Sequence, residues 1–545
     1  MSAFTAGDDL EKAEGTDFLV YYSAVKNDFD MTPMFPAPGK TPREDTAAVM
    51  KFYKLPKCFP PSVMAEARRI PSVVDAEAEL RRGGRRDLRR EFVFTCDPQS
   101  ARDYDDALSL SKDRRGNLVL GVHIADVSHY VKPGSAIDRE AYRRSTSVYL
   151  CDRVVPMLPE GLSNGVCSLV PGEDRLAFSV FLTFDKSGEV VKREFAKSVI
   201  RSKARYTYEQ VMNIISGGDG KCGGARVGKR ELRTIREISA LAQRLRAKRF
   251  ASGALDIEIP EAEVILDDAG EMTGLVTRPY DESHQMVEEC MVAANEAVAK
   301  ELWTKGVKIL ARLHEPPDEE KIDMLRAELR GLGVKVGNIS NPKVFAQFLQ
   351  SIKKSPLYPT LATLVLRSMK RAVYDGAAIG HFGLAKRYYA HFTSPIRRYP
   401  DLTLHRQLAD YISGGSAKRP PKLLATWAKH TSEREEIAAE AERGLLEIKK
   451  YRLLEDQLHT RQVVDYDAVV SKCAPYGCFV EIPELAVSGL VHVSLLSRRF
   501  VRWNEHDQSL SVPGGGGWRA GSRIKVRIAR VDFRQRRLDF TPCSR

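Results

Sequence analysis

The sequence has no paired cysteine motif. Its nine cysteines are scattered, and the closest two, Cys473 and Cys478, have neither CxxC spacing nor a histidine beside them. That pattern indicates no disulfide framework or cysteine metal site and reads as buried thiols in a reducing compartment. No apolar run approaches the ~18 residues needed to cross a bilayer. The opening stretch, MSAFTAGDDLEKAEGTDF, is acidic, with neither the apolar centre of a signal peptide nor the Arg-rich face of a transit peptide. A cytoplasmic protein without a membrane segment is expected. The regular strand–helix alternation of a doubly wound fold is also missing.

What is present is length and positive charge. The 545 residues suit two to four domains of ~100–200 residues each. A content of 43% hydrophobic and 29% charged residues is that of a globular chain, not a disordered one. Lys and Arg number 85 against 72 Asp and Glu, a formal charge of +13. That excess favours a polyanionic partner, nucleic acid first among them.

Residues 1–50 join a short apolar snippet, FLVYYSAVK, to a Pro-rich run and read as a linker. Residues 51–90 read as a helical and Arg-rich connector, in which ELRRGGRRDLRREF is a solvated linker or a phosphate-contacting rim. Strand patterns then dominate in EFVFT, ALSLS, NLVLGVHIADV and LAFSVFLTF. Helical patterns follow from Thr207, including HQMVEECMVAANEAVAKELW with Val287, Met291, Ala294 and Val298 at helical spacing, and again from about Leu424 to Leu458. The expectation is an α+β body over 91–458. Residues 459–545 hold about five short alternating strands, which suit a small closed barrel.

Between two strand patterns lies DPQSARDYDDALSL, with Asp97, Asp103, Asp105 and Asp106 inside ten positions. Neighbouring carboxylates repel by ~1 kcal/mol per pair in water and by more in a cleft. A divalent cation offsets this, and Mg2+ prefers oxygen from one or two carboxylates completed by phosphate and water. A pair of such ions about 3.5–4 Å apart can hydrolyse a phosphodiester. The competing readings are an exposed acidic turn and a Ca2+ loop. An EF-hand loop needs Gly sixth and Glu twelfth, and this stretch has neither in register. In the barrel, Tyr476, Phe479 and His492 fall where a stacking face would lie, with Lys525, Arg527 and Arg530 supplying charge. His123, His381 and His391 lack paired ligand spacing and read as structural.

The acidic stretch is followed by GVHIADVSHYV, by SVYLCDRVVPMLPEGLSNGVCSLVPGEDRLAFSV, by HQMVEECMVAAN, by RLHEPP and by GHFGLAKRYYAHFTSPIRRYPDLTLHRQL. These six blocks, in this order, resemble the catalytic RNB domain of the RNase II / RNase R family of processive 3'-to-5' exoribonucleases. The C-terminal barrel resembles the S-one type of OB-fold that follows it. The resemblance implies a mixed sheet surrounded by helices around an RNA channel. It also implies Mg2+, with Mn2+ as the alternative, held by Asp97, Asp103, Asp105 and Asp106. Asp105 is the one whose loss should stop chemistry while leaving binding. Tyr149 matches the tyrosine stacked on the 3'-terminal bases, and Arg397 the arginine at the scissile phosphate, with Arg398 beside it on the RNA. Glu288 and Glu442 match RNA-contacting glutamates. The partner implied is single-stranded RNA with a free 3' end, and a monomer is expected.

Two departures accompany the match. The family usually carries two cold-shock barrels in front, and the ~85 preceding residues do not hold two, so FLVYYSAVK reads as a remnant strand. An aromatic clamp on the 5' side would fall at Ile257, where there is no ring. The alternative from another class is a catalytically silent RNA-binding regulator on the same scaffold; a third is a translation-associated binder led by the barrel.

Overall fold

In this computed structural model a seven-stranded sheet positions the acidic stretch. The structure describes residues 36–218, 228–257, 262–277, 279–355, 358–460, 463–505 and 507–543, and FLVYYSAVK lies outside them. The strands are β1 (Arg85–Asp87), β2 (Phe94–Cys96), β3 (Asp106–Lys112), β4 (Leu118–Ala125), β5 (Asp174–Phe184), β6 (Val190–Arg201) and β7 (Ala204–Tyr206). Their order is β1-β6-β5-β4-β3-β2-β7. The central pairs are antiparallel, whereas β1 on β6 and β7 on β2 are parallel.

Strand β4 shows why the pattern LVLGVHIA is almost continuously apolar: both faces of the sheet are covered. On one face Leu120, Val122 and Ile124 join Phe178 and Val180 against helices α2 (Lys229–Ala251) and α3 (Glu282–Thr304). On the other, Ala107, Ala125 and Ala177 pack with Val127, Ile137, Met157 and Leu402. Helix α1 (Asp45–Phe52) precedes the sheet; α4 (Tyr399–Ile412) and α5 (Pro421–His459) follow it. Helix α3 is buried over much of its circumference, not along one stripe: Met286, Cys290 and Ala294 are enclosed on one side, and Glu289, Val292, Asn295 and Ala299 on the others.

The arginine run is not a plain connector. Arg85–Asp87 is the edge strand β1, and the Arg85 guanidinium reaches the fully buried Asp126 at 2.8 Å. Burial alone would raise the Asp126 pKa, but the Lys197 and Arg85 charges more than offset it and hold the carboxyl well below the usual range. A three-residue strand rich in arginine carries no apolar alternation, so its long-range pairing was invisible to pattern reading.

His123 on β4 is buried between the hydroxyls of Ser109, 2.9 Å from Nε2, and Ser179, 2.7 Å from Nδ1. Burial lowers its pKa to about 3. The unfolded chain, with a histidine pKa of ~6.5, therefore takes up this proton first. The associated stability is complete above ~6.5 and drains as pH falls toward the folded value, by ~1.4 kcal/mol per pH unit. His123→Gln keeps a donor and an acceptor without the titration. Denaturant melts between about pH 6 and 4.5 should show the wild type losing stability more steeply by about that amount; equal slopes would contradict a neutral buried His123. His391, bonded to the Tyr374 hydroxyl at 2.9 Å, and His381, packed on His314 and Tyr389, are likewise structural.

The C-terminal strands β8 (Tyr466–Ala474), β9 (Gly477–Ile482), β10 (Val487–His492), β11 (Arg523–Asp532) and β12 (Arg537–Pro542) close in the order β8-β9-β10-β12-β11. A small three-stranded sheet over Arg502–Trp518, not expected from the sequence, is inserted before β11. The barrel core includes Tyr451 and Leu454 of α5 and Met272 of a hairpin from the preceding α+β body. Among the described residues no helix is long and apolar enough to cross a membrane.

Candidate active site

The acidic stretch leaves β2 and returns as β3, and it is pinned at several points. The Asp97 N–H donates to the Tyr206 carbonyl (3.1 Å), and Arg205 Nη2 donates to the carbonyls of Pro98 and Gln99 (2.7 and 2.9 Å). The buried Ser168 hydroxyl accepts from the Tyr104 N–H (2.9 Å) and donates to the Arg102 carbonyl (2.8 Å). The loop therefore holds its carboxylates in fixed directions, unlike a solvated acidic turn.

A second segment, Thr393–Arg398, meets it from about 290 residues away. The Ile396 N–H donates to Asp105 Oδ1 at 2.9 Å, and Arg397 Nε stands 3.9 Å from Asp105 Oδ2. Asp105 is 4% exposed, whereas the Arg397 side chain is 47% exposed. Arg398 is differently placed. It makes two hydrogen bonds of 2.9 and 2.8 Å to the buried Asp401, which also accepts from the Ser394 N–H. Arg398 therefore fixes the turn that presents Arg397.

A third segment carries Tyr149. The Ser147 N–H donates to the Arg397 carbonyl (3.0 Å), the Tyr149 N–H to Glu442 Oε1 of α5 (2.7 Å), and the Tyr149 hydroxyl lies 3.4 Å from Asp103 Oδ2. Tyr149 is 42% exposed. Glu442 thus meets the Tyr149 backbone, and burial raises its pKa. Glu288 on α3 accepts from Arg249 Nη2 (2.9 Å) and from the Tyr280 hydroxyl.

Burial is the largest cause raising the pKa values of Asp97, Asp105 and Asp106; the Asp106 charge adds at Asp97, while Arg397 opposes at Asp105 and Asp106. The buried Asp97 Oδ2 has no hydrogen-bond partner among the described residues. Among the described residues these groups do not already form a three-sided metal cage. Their chemistry nevertheless fits a hard divalent cation, which needs only one or two carboxylates when phosphate and water complete its shell. Tyr208, which the sequence reading passed over, belongs here too. Burial raises its pKa, with Cys96, Asp106 and Asp97 adding to the effect, and its ring is stacked on His284 at 3.9 Å. The sequence signal was one aromatic at a helix start.

The barrel residues form a separate group. Tyr476 is 51% exposed in the β8–β9 turn, Phe479 packs edge-on to it at 6.1 Å, and His492 is exposed at the end of β10. Lys525, Arg527 and Arg530 each face an acidic partner: Asp467, Asp465 and Asp532. Among the described residues no hydrogen bond or ion pair joins the three barrel residues to the acidic loop.

The RNB domain model matches residues 85–414, and the S1 RNA binding domain model residues 465–541. The chain belongs to the RNB family. It is 39% identical to Ribonuclease R of Thermotoga maritima over 535 residues, covering 93% of this chain and 73% of that protein. It is 35% identical to Ribonuclease R of Escherichia coli, covering 91% of this chain and 61% of that protein. Mycoplasma genitalium RNase R in complex with ribose methylated single-stranded RNA superposes with a TM-score of 0.83 at 27% identity, over 92% of this chain and 78% of that one. Yeast Ssd1, a pseudonuclease, shares the RNB fold at a TM-score of 0.70 and 20% identity, over 86% of this chain and 58% of that one. The fold alone thus does not decide activity.

Proposed function

We propose that this RNB protein is a processive, divalent-cation-dependent 3'-to-5' exoribonuclease of RNA degradation or processing, releasing nucleoside 5'-monophosphates from single-stranded RNA. The observation that carries the reading is the Asp105 carboxylate held by the Ile396 N–H while facing Arg397. Asp97, Asp103, Asp105 and Asp106 would hold the cation, Mg2+ in our reading and Mn2+ as the alternative. When bound, it lowers the pKa of a water and neutralises phosphate charge.

The remaining steps belong to the protein's own groups. Arg397 offers planar, permanently charged donors to phosphate oxygens as charge builds. The exposed Tyr149 ring takes the 3'-terminal base, a stacking contact that needs no sequence preference. Glu442 holds the backbone of that tyrosine, and Glu288 would take a ribose hydroxyl in our reading. Tyr476, Phe479 and His492 offer a further stacking face upstream. We read the chain as a cytoplasmic monomer; its eight described cysteines are thiols, in keeping with a reducing compartment.

The test is a 5'-labelled single-stranded RNA with a free 3' end, incubated with Mg2+ or with EDTA. Stepwise shortening with mononucleotide release in Mg2+, and arrest in EDTA reversed by added Mg2+, is the expected result. Binding without nucleotide release would favour the silent RNA-binding regulator, and internal cuts would refute the direction.

A further inference from the structure

Tyr280 precedes α3 and is a large aromatic residue, 45% exposed, yet its position is fixed. Its hydroxyl donates to Glu288, and Arg246 Nη1 lies 3.3 Å from the same hydroxyl. The Arg246 guanidinium carbon is 5.8 Å from the ring centroid, and the His284 ring is 6.1 Å away. His284 in turn stacks on Tyr208 beside the acidic loop. Three rings, Tyr208, His284 and Tyr280, therefore follow one another away from the acidic loop, and the last is the most open. Arg246 also reaches Asp256 at 3.3 Å, so Tyr280 stands one side chain away from Ile257, which is turned into an apolar cluster with Phe345 and Phe348.

An exposed ring anchored at its polar end has lost its rotational freedom before a ligand arrives, and its open face suits any base. We propose that Tyr280 is a base-stacking platform for single-stranded RNA upstream of the cleaved nucleotide, beside Glu288. The proposal rests on the exoribonuclease reading and assigns to that site a residue which neither motif nor spacing marks.

The experiment measures equilibrium binding of 5'-labelled oligoadenylate in an Asp105→Asn background. Adding Tyr280→Ala should weaken binding about tenfold, within the range seen for loss of one base–aromatic stack. Tyr280→Phe, which keeps the ring and loses the bond to Glu288, should bind within about twofold of the parent. Oligonucleotides with one abasic position moved stepwise from the 3' end should show a penalty at one position in the parent that disappears in the alanine variant. Equal binding by parent and alanine variant would overturn the platform, as would a phenylalanine variant as weak as alanine, which would assign the tyrosine to holding Glu288. A wild-type protein that neither binds nor degrades RNA removes the underlying reading, whereas one that degrades RNA beside an alanine variant of undiminished affinity removes only the role of this ring.

Discussion

Asp105→Asn is expected to lower nucleotide release by about three orders of magnitude or more while leaving RNA affinity within about twofold. The substitution preserves shape. The amide oxygen can still accept from the Ile396 N–H that now meets Oδ1 at 2.9 Å, so the turn presenting Arg397 stays in place. What disappears is the charge available to a cation and opposed to Arg397. Burial already pushes the Asp105 pKa well above the usual carboxylate range, so the cation-free protein gains nothing from that charge. The variant should therefore melt at the same or a higher temperature without Mg2+, and its melting temperature should rise less than that of the wild type when Mg2+ is added. Single-turnover release from 5'-labelled RNA, equilibrium binding and melting with and without Mg2+ separate these effects. Residual activity within about tenfold of wild type would remove Asp105 from the chemistry.

Arg397→Ala should lower kcat by about 10²–10³ with a smaller change in KM, the signature of a donor used chiefly as charge develops. Arg397 is available for this work because, among the described residues, its side chain makes only loose polar contacts, to Ser394 Oγ at 3.3 Å and Asp105 Oδ2 at 3.9 Å. Arg397→Lys should recover no more than about tenfold, since an ammonium cannot present a planar fork to two phosphate oxygens. Arg398→Ala should behave differently and lose stability, because it strands the buried Asp401 carboxylate, a change that typically costs about 3–5 kcal/mol. Steady-state kinetics on a homopolymeric RNA beside thermal melts distinguish the two arginines, and an Arg397→Ala enzyme with unchanged kcat would exclude the assigned role.

The order of the motifs and the acidic loop were legible because each is local. Asp97 through Asp106 lie in one stretch, and the β3 and β4 patterns flanking it have clear periodicity. The barrel was legible for the same reason. The edge strand Arg85–Asp87 was not, since its partners Lys197–Val199 lie more than a hundred residues away and its cohesion comes from a buried ion pair. The surroundings of Glu288 were not legible either, since the enclosure of α3 and the bond from Arg249 leave no local pattern. Tyr208 and Tyr280 escaped notice because a ring's neighbours across the chain, His284 and Glu288 here, leave no trace in spacing. Arg398, paired with Arg397 in the sequence, parted from it in the fold because only one of two adjacent side chains can point back to Asp401.

Helix α5, 39 residues and so about 58 Å long, is a single rod with two clients. Near its middle Glu442 holds the backbone of Tyr149, and about two and a half to three turns later Tyr451 and Leu454 join the barrel's core. Severing the chain just before β8 would bare those apolar side chains to water and loosen the far end of the strut that steadies the 3'-terminal stacking ring. Weaker RNA uptake by a shortened protein would then record a frayed support as well as a missing grip, and the barrel's share is better measured by point changes at Tyr476 and Phe479 in the intact chain.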